Sequence, residues 1–294
     1  MMHRYLRAIG FSQYNKNHAV WPLLDLACRT PSASSLVREE KEVYGHLSKS
    51  FGDGIGLRVY GEFEDGKKFR PEYFFPYADS STVSTTVPCV VERQNDRNAY
   101  GGMCEDPALG VSLIFYLSNG MEYARRQLVS GENAQIRAIY LSALSLSGKV
   151  LLPVRKTERQ RASSRAAGKN RGMLIEAAGN GDEKAMETLA MEDMSLAEEI
   201  SGRIGQEDVY SIVDTCFMPC GLECDQYAII AEILGVETVQ NTMSGEKLYR
   251  MLLDCNDLKL SLVINQADLL GEPAPGRRFK GDVWLQGRAE FSEE

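Results

Sequence analysis

Residues 155–171, RKTERQRASSRAAGKNR, carry seven basic side chains and one acid, and the segment after them reverses the sign. Between Met173 and Asp208 ten acids stand against Lys184 and Arg203. A shift of composition on this scale marks a boundary between folded units, and opposite charge blocks in succession read as a solvated, ion-paired connector. The acidic part has helical signals. Asp182 precedes EKAMETLAM, where Met186, Leu189 and Ala190 share a helix face; Ser195 and Glu198 form a capping box; Leu196, Ile200 and Ile204 continue the apolar stripe. The organisation expected from this segment is an N-terminal domain over 1–154, a charged helical connector over 155–205 and a C-terminal domain over 206–294.

Both flanks are rich in strand patterns. Ile55, Leu57, Val59 and Phe63 alternate with polar or small residues, Asp65-Gly66 suits a two-residue hairpin turn, and KFRPEYFFPY supplies the returning strand. GVSLIFYL at 110–117 reads as a strand buried on both faces, and QIRAIYLSALSLSGKVLLPV as a hairpin turning at Ser147-Gly148. Beyond the connector, DVYSIVD, QYAIIAEIL, LKLSLVI and GDVWLQGRAEF read as strands. Helices are expected at LVREEKEVYGHLSK (36–49) and SGEKLYRMLL (244–253), with an early or interrupted one near Pro22. The fold class that follows is α+β: two strand-rich domains, each an open sheet or small barrel with packed helices, joined by the connector. A single intertwined domain is the alternative.

The chain's 294 residues suffice for one or two cores. A formal charge of -8 disfavours a surface broadly adapted to nucleic acid or anionic lipid. The N-terminal twenty residues have no continuous apolar run, and no stretch approaches the roughly 18 apolar residues of a membrane span. Seven cysteines at irregular spacing fit reduced thiols in the cytoplasm better than a disulfide framework.

Candidate chemistry is sparse. Cys216, Cys220 and Cys224, with Cys255 as a conceivable fourth, form the sharpest metal or redox cluster, but their three-residue gaps do not match the two-residue gaps of a zinc knuckle. The three histidines, His3, His18 and His46, all lie in the other half, with His46 expected on a helix surface. Ser244 and Lys247 match S-x-x-K without the partner motifs that would give it meaning. Gly52, Gly54 and Gly56 precede a strand, whereas a dinucleotide loop follows one. Glu105, Asp106, Glu223, Asp225, Glu232, Asp254 and Asp257 offer carboxylates for acid/base or hard-metal work, if any pair converges. Arg277, Arg278, Lys280 and Trp284, in GEPAPGRRFKGDVWLQG, form the better of the two basic patches and the candidate ligand-binding loop.

The segments AAGNGDEKAMETLAMEDM, EDVYSIVDTCFMPCGLECDQYAIIAEI and LLDCNDLKLSLVINQADLLGEPAPGRRFKGDVWLQG, with YLRAIGFS and GVSLIFYLSN in the first half, resemble an uncharacterised bacterial family, domain of unknown function 3881. The resemblance spans the chain and implies a clostridial-type bacterial source. It carries over no activity, cofactor or catalytic residue. The residues themselves favour a cytosolic, non-enzymatic binding or scaffold protein without a cofactor, whose partner is a protein or a small molecule. The alternatives are a hydrolase or metal-dependent enzyme built around Cys224 and Asp225 or the 254–257 loop, and nucleic-acid binding through the Arg277 loop.

Overall fold

A computed structural model describes the chain outside residues 1–3, 15–19, 40–41, 65–67, 95–98, 107–108, 110, 131–133, 155–169, 171–172, 175–176, 179–180, 205–213, 222–223 and 293–294. Period-two alternation dominates the described residues, and they assemble into two β-sheets. The first is an antiparallel meander of β1 (Ala33–Glu39), β2 (Glu42–Gly52), β3 (Ile55–Glu64) and β4 (Lys68–Ala78). Because the pleat sends successive side chains to opposite sides, its faces differ in chemistry. Leu47, Ile55, Leu57, Val59 and Phe74 make an apolar face packed under helix α1 (Trp21–Arg29), whose Leu23, Leu24 and Ala27 are buried. The opposite face sets His46, Tyr60 and Tyr73 in one row and Ser48, Arg58 and Phe75 in the next, and it turns toward the second sheet.

That second sheet contains, among the described residues, β5 (Cys89–Gln94), β6 (Ala99–Asp106), β7 (Val111–Leu117), β8 (Ile136–Leu151), β9 (Cys216–Pro219), β10 (Gln226–Gln240), β11 (Lys247–Cys255), β12 (Leu258–Asn265), β13 (Leu269–Leu270) and β14 (Arg278–Phe291). Five of these close into a ring: β8 runs parallel to β12, then β11, β10 and β14 follow in antiparallel order, and β14 returns antiparallel to β8. Closure gives every ring strand two neighbours and removes edges that would otherwise pair with other chains. Ile229, Ile233, Leu253, Leu260, Leu262, Val283 and Leu285 are buried in it. A two-residue turn joins β11 to β12, with Asn256 at φ 54° and Asp257 at φ 68°, as the twist of a tight hairpin demands.

Strands β7, β6 and β5 branch from β14 through a parallel contact at Gln286 and Gly287. Helix α2 (Gly120–Ser130) follows β7 and packs against β1, burying Met121, Tyr123 and Ala124. Tyr227 spans the fork between β10 and β7: its hydroxyl accepts from the Ile114 N–H at 2.7 Å and donates to the Ile114 carbonyl at 3.1 Å. Phe115 fits beneath the branch because Gly102 and Gly287 lie against its ring, where a Cβ on either would overlap it. Gln286, buried between the sheets, donates to the Pro76 carbonyl at 2.8 Å and accepts from the Ala78 N–H at 3.1 Å. Its amide thus takes the place of a strand partner for the end of β4.

These pairings overturn the α+β expectation. The described structure is mostly strand, in two sheets, and strands from before and after the charged segment share the ten-stranded one. The chain leaves that sheet at Leu151 and re-enters it at Cys216, so the segment is an excursion between two of its strands and not a helical link between two domains. It includes helix α3 (Glu183–Ile204), started by Asp182, whose carboxylate accepts from the N–H groups of Lys184 and Ala185. The basic run, the turn at Asp65-Gly66 and the side chains of the Ser195/Glu198 capping box lie outside the described residues.

Three local expectations also change. Of the segment read as a helix, Leu36–Glu39 lie on β1 and Glu42–Lys49 on β2, so His46 is buried on a strand. LYRMLL belongs to β11, where Met251, Leu253 and Cys255 alternate inward; Leu248, Met251 and Leu252 also fit a helical spacing, and sheet pairing decides between the two. Ser147-Gly148 is no turn, since β8 continues unbroken through it. Gly148 is there because the Phe279 ring occupies the space a Cβ would need.

Candidate functional site

Between the two sheets lies a cavity of about 510 Å³, lined by Arg4, Tyr5, Phe75, Gln94, Tyr116, Asp225, Gln226 and Trp284. They come from separate parts of the architecture. Arg4 and Tyr5 begin a 3-10 helix (Arg4–Ile9) pinned to the ring by the Arg7–Asp268 ion pair at 2.6 Å and by Asn241, whose amide donates to the Ile9 carbonyl at 2.7 Å. Phe75 projects from β4, Tyr116 from β7 and Trp284 from β14, while Asp225 and Gln226 sit where the chain enters β10.

The walls are aromatic. The Trp284 ring stacks on Tyr5 at 5.3 Å between centroids and meets Phe75 at 5.7 Å and Tyr116 at 5.9 Å; Phe75 and Tyr116 are 4.5 Å apart. Such pairs contribute about 0.5–1.5 kcal/mol each beyond their buried area. Behind this layer, Tyr60 and Tyr116 share a 2.5 Å hydrogen bond between hydroxyls that joins one sheet to the other, and Tyr73 stacks on Tyr60 at 4.8 Å. Burial pushes both hydrogen-bonded phenols above their ordinary range, so they stay protonated.

Charge enters at two points. Asp225 accepts from the Trp284 indole N–H at 2.6 Å; burial pushes its carboxyl up, and the indole and Arg4 pull it down by less. Arg4 donates to the hydroxyl of Tyr5 and to the side-chain carbonyl of Gln226. Deeper along the seam, His46 is pushed down to about 3 by burial and then by the Arg58 charge, and it is therefore neutral. Its Nδ1 and one Arg58 nitrogen, Nη1, are buried without a hydrogen-bond partner among the described residues. A smaller cavity of about 170 Å³ lies further along, between Glu39, Tyr44, Arg93 and Tyr100.

Of the residues singled out in the sequence, Trp284 and Asp225 line the large cavity. Arg278 is buried, its guanidinium donating to the carbonyls of Leu152 (3.0 Å) and Asp214 (3.4 Å); Arg277 bonds the Glu272 carbonyl; Lys280 is half-buried on β14. Cys216 lies on β9 and Cys220 at its exposed end, both thiols pushed up by burial, and the Cys224 thiol donates to the Gln226 carbonyl at 3.3 Å. Buried Cys255 donates to the carbonyls of Cys216 and Ile230. Among the described residues no three His, Cys, Asp or Glu side chains are placed to hold a metal ion, and Glu223 lies outside them. Asp106 accepts from the Thr85 hydroxyl, and Asp254 accepts from the Asp257 N–H in the β11–β12 turn. Gly54, at φ 57°, serves the β2–β3 turn.

Tyr5, Phe75 and Tyr116 carry no mark in the sequence. They are far apart in the chain, and the packing of one sheet on the other together with the seat of the N-terminal 3-10 helix gathers them.

Compared with known families, residues 6–287 match the model described as a domain of unknown function named from an E. rectale gene, DUF3881. The chain belongs to this family. No curated protein and no solved structure matches the DUF3881 chain. No helix among its described residues is long and apolar enough to cross a membrane.

Proposed function

We propose that the protein is a cytoplasmic, non-enzymatic binding module that takes a small molecule into the cavity between its two sheets. The observation that carries this reading is the cavity wall: four aromatic rings from four separate elements converge beside one half-buried carboxylate. Ligand sites are concave, apolar in the main and furnished with a few polar groups that orient the guest, and their usual volumes of roughly 300–1,000 Å³ include this one. The aromatic faces favour a guest with a flat or apolar body, and Asp225 favours one that donates a hydrogen bond or carries positive charge.

Native mass spectrometry of the full chain tests it, with the protein equilibrated against a defined mixture of amino acids, nucleobases, nucleosides and polyamines. A stoichiometric adduct is expected, weakened by Asp225→Asn and by Phe75→Ala. An adduct untouched by both substitutions would put the ligand elsewhere and contradict the reading.

A further inference from the structure

The charges at the mouth of the cavity narrow the class of guest, an inference that rests on the small-molecule reading above. Arg4 and Asp225 both line the cavity, and among the described residues neither makes an ion pair. The acceptors of the Arg4 guanidinium among the described residues, the Tyr5 hydroxyl and Gln226, are neutral. Asp225 is held by the indole N–H of Trp284, also neutral. Arg4 is exposed and Asp225 half-buried, so the cavity presents two opposite charges, not in direct contact with one another, to a guest that enters it. A guest with positive charge alone would answer Asp225 but be repelled by Arg4. One with negative charge alone would meet a carboxylate and the electron-rich faces of the rings.

The spacing adds a constraint. Arg4 is hydrogen-bonded to Gln226, the residue next to Asp225, so the two charges sit close together on the cavity wall. We infer that the guest is a free α-amino acid with an apolar or aromatic side chain: its ammonium is received by Asp225 against the ring faces, its carboxylate by Arg4, and its side chain by Phe75, Tyr116 and Trp284. The ammonium over aromatic rings adds a cation–π contribution, and the guanidinium suits a carboxylate in two-point contact. The cavity accommodates even the largest such side chain.

Isothermal titration calorimetry of the full chain decides the matter, using the free L-amino acids from valine to tryptophan and, for the tightest, its N-acetyl derivative and its amide. The free acid is expected to bind at least about tenfold tighter than either derivative, since each loses one charge contact. Asp225→Asn should erase the discrimination against the N-acetyl form, and Arg4→Met, at an exposed position, that against the amide. The side-chain amide introduced by Asp225→Asn still offers an oxygen to the Trp284 indole, so a folding defect is not expected to mask the result. Derivatives binding as well as the parent would overturn the inference. So would amino acids failing to bind while another member of the mixture forms a Phe75-dependent adduct, and in that case the cavity would remain a ligand site. If no molecule occupies the cavity, both readings fall.

Discussion

The closed ring of β8, β10, β11, β12 and β14 and the seam between the two sheets are built from different materials. Leu260, Leu262, Val283 and Leu285 fill the ring with aliphatic side chains, and each strand is paired on both sides. The seam gathers His46, Arg58, Tyr60, Tyr116, Asp225 and Trp284, leaves polar atoms of His46 and Arg58 without partners among the described residues, and borders the large, open cavity. A protein that obeys packing rules in one region and breaks them in another is generally placing its function in the second. The ring supplies stability, and the seam spends some of it on a preorganised polar and aromatic surface.

The contrast is open to attack at several points, beginning with the largest effect. Leu262→Ala leaves a hole in the ring and should cost about 2–5 kcal/mol in urea-induced unfolding. A loss under about 1 kcal/mol would mean the ring is not the stabilising element. His46 provides the seam's counterpart. Its folded-state pKa, about 3, lies below the unfolded value, so on lowering the pH from about 6.5 toward 3 the unfolded chain takes up a proton that the folded chain refuses. Stability therefore falls with pH in that window, by up to about 1.4 kcal/mol per unit from this group. Between pH 6.5 and 4.5 the wild type should lose about 2–3 kcal/mol more than His46→Leu; parallel curves would show that His46 titrates normally.

Gln286→Leu strips partners from the Ala78 N–H and the Pro76 carbonyl and should cost about 1–3 kcal/mol, with earlier hydrogen exchange in β4 than in β12. Simultaneous loss of protection in both strands would make ring and seam one cooperative unit. The smallest effect belongs to Asp225→Asn. Since the amide oxygen still accepts from Trp284, stability should stay within about 0.5 kcal/mol while ligand affinity drops. A large fall in stability would assign Asp225 to the fold and not to the site.

Much of the strand content is legible in the sequence, because Ile55, Leu57 and Val59 or the run LKLSLVI carry the period-two pattern without help from distant residues. The closure is not. It depends on Ser142 of β8 meeting Ser261 of β12 and Gln286 of β14, contacts between residues that have no mark of mutual affinity. The charge reversal after Val154 reads as a boundary between domains because a composition shift does not reveal whether the chain returns to the same sheet. For the site, Trp284 and Asp225 stand out as an aromatic and an acid of interest. Arg4 belongs to an N-terminus that reads as irregular, and Phe75 and Tyr116 look like ordinary strand residues. Their convergence is a property of how the two sheets face one another and where the N-terminal 3-10 helix sits against them.

The most direct measurement uses Trp284 itself. The chain has two tryptophans, and Trp21 is largely exposed on α1, so Trp21→Phe leaves Trp284 as the sole indole emitter at the cavity wall. Titration of that variant with the non-indole amino acid that binds tightest by calorimetry should give a saturable change in Trp284 emission with the same dissociation constant, and Asp225→Asn should weaken both together. Calorimetric binding with no response from Trp284 would place the ligand outside the seam and contradict the account.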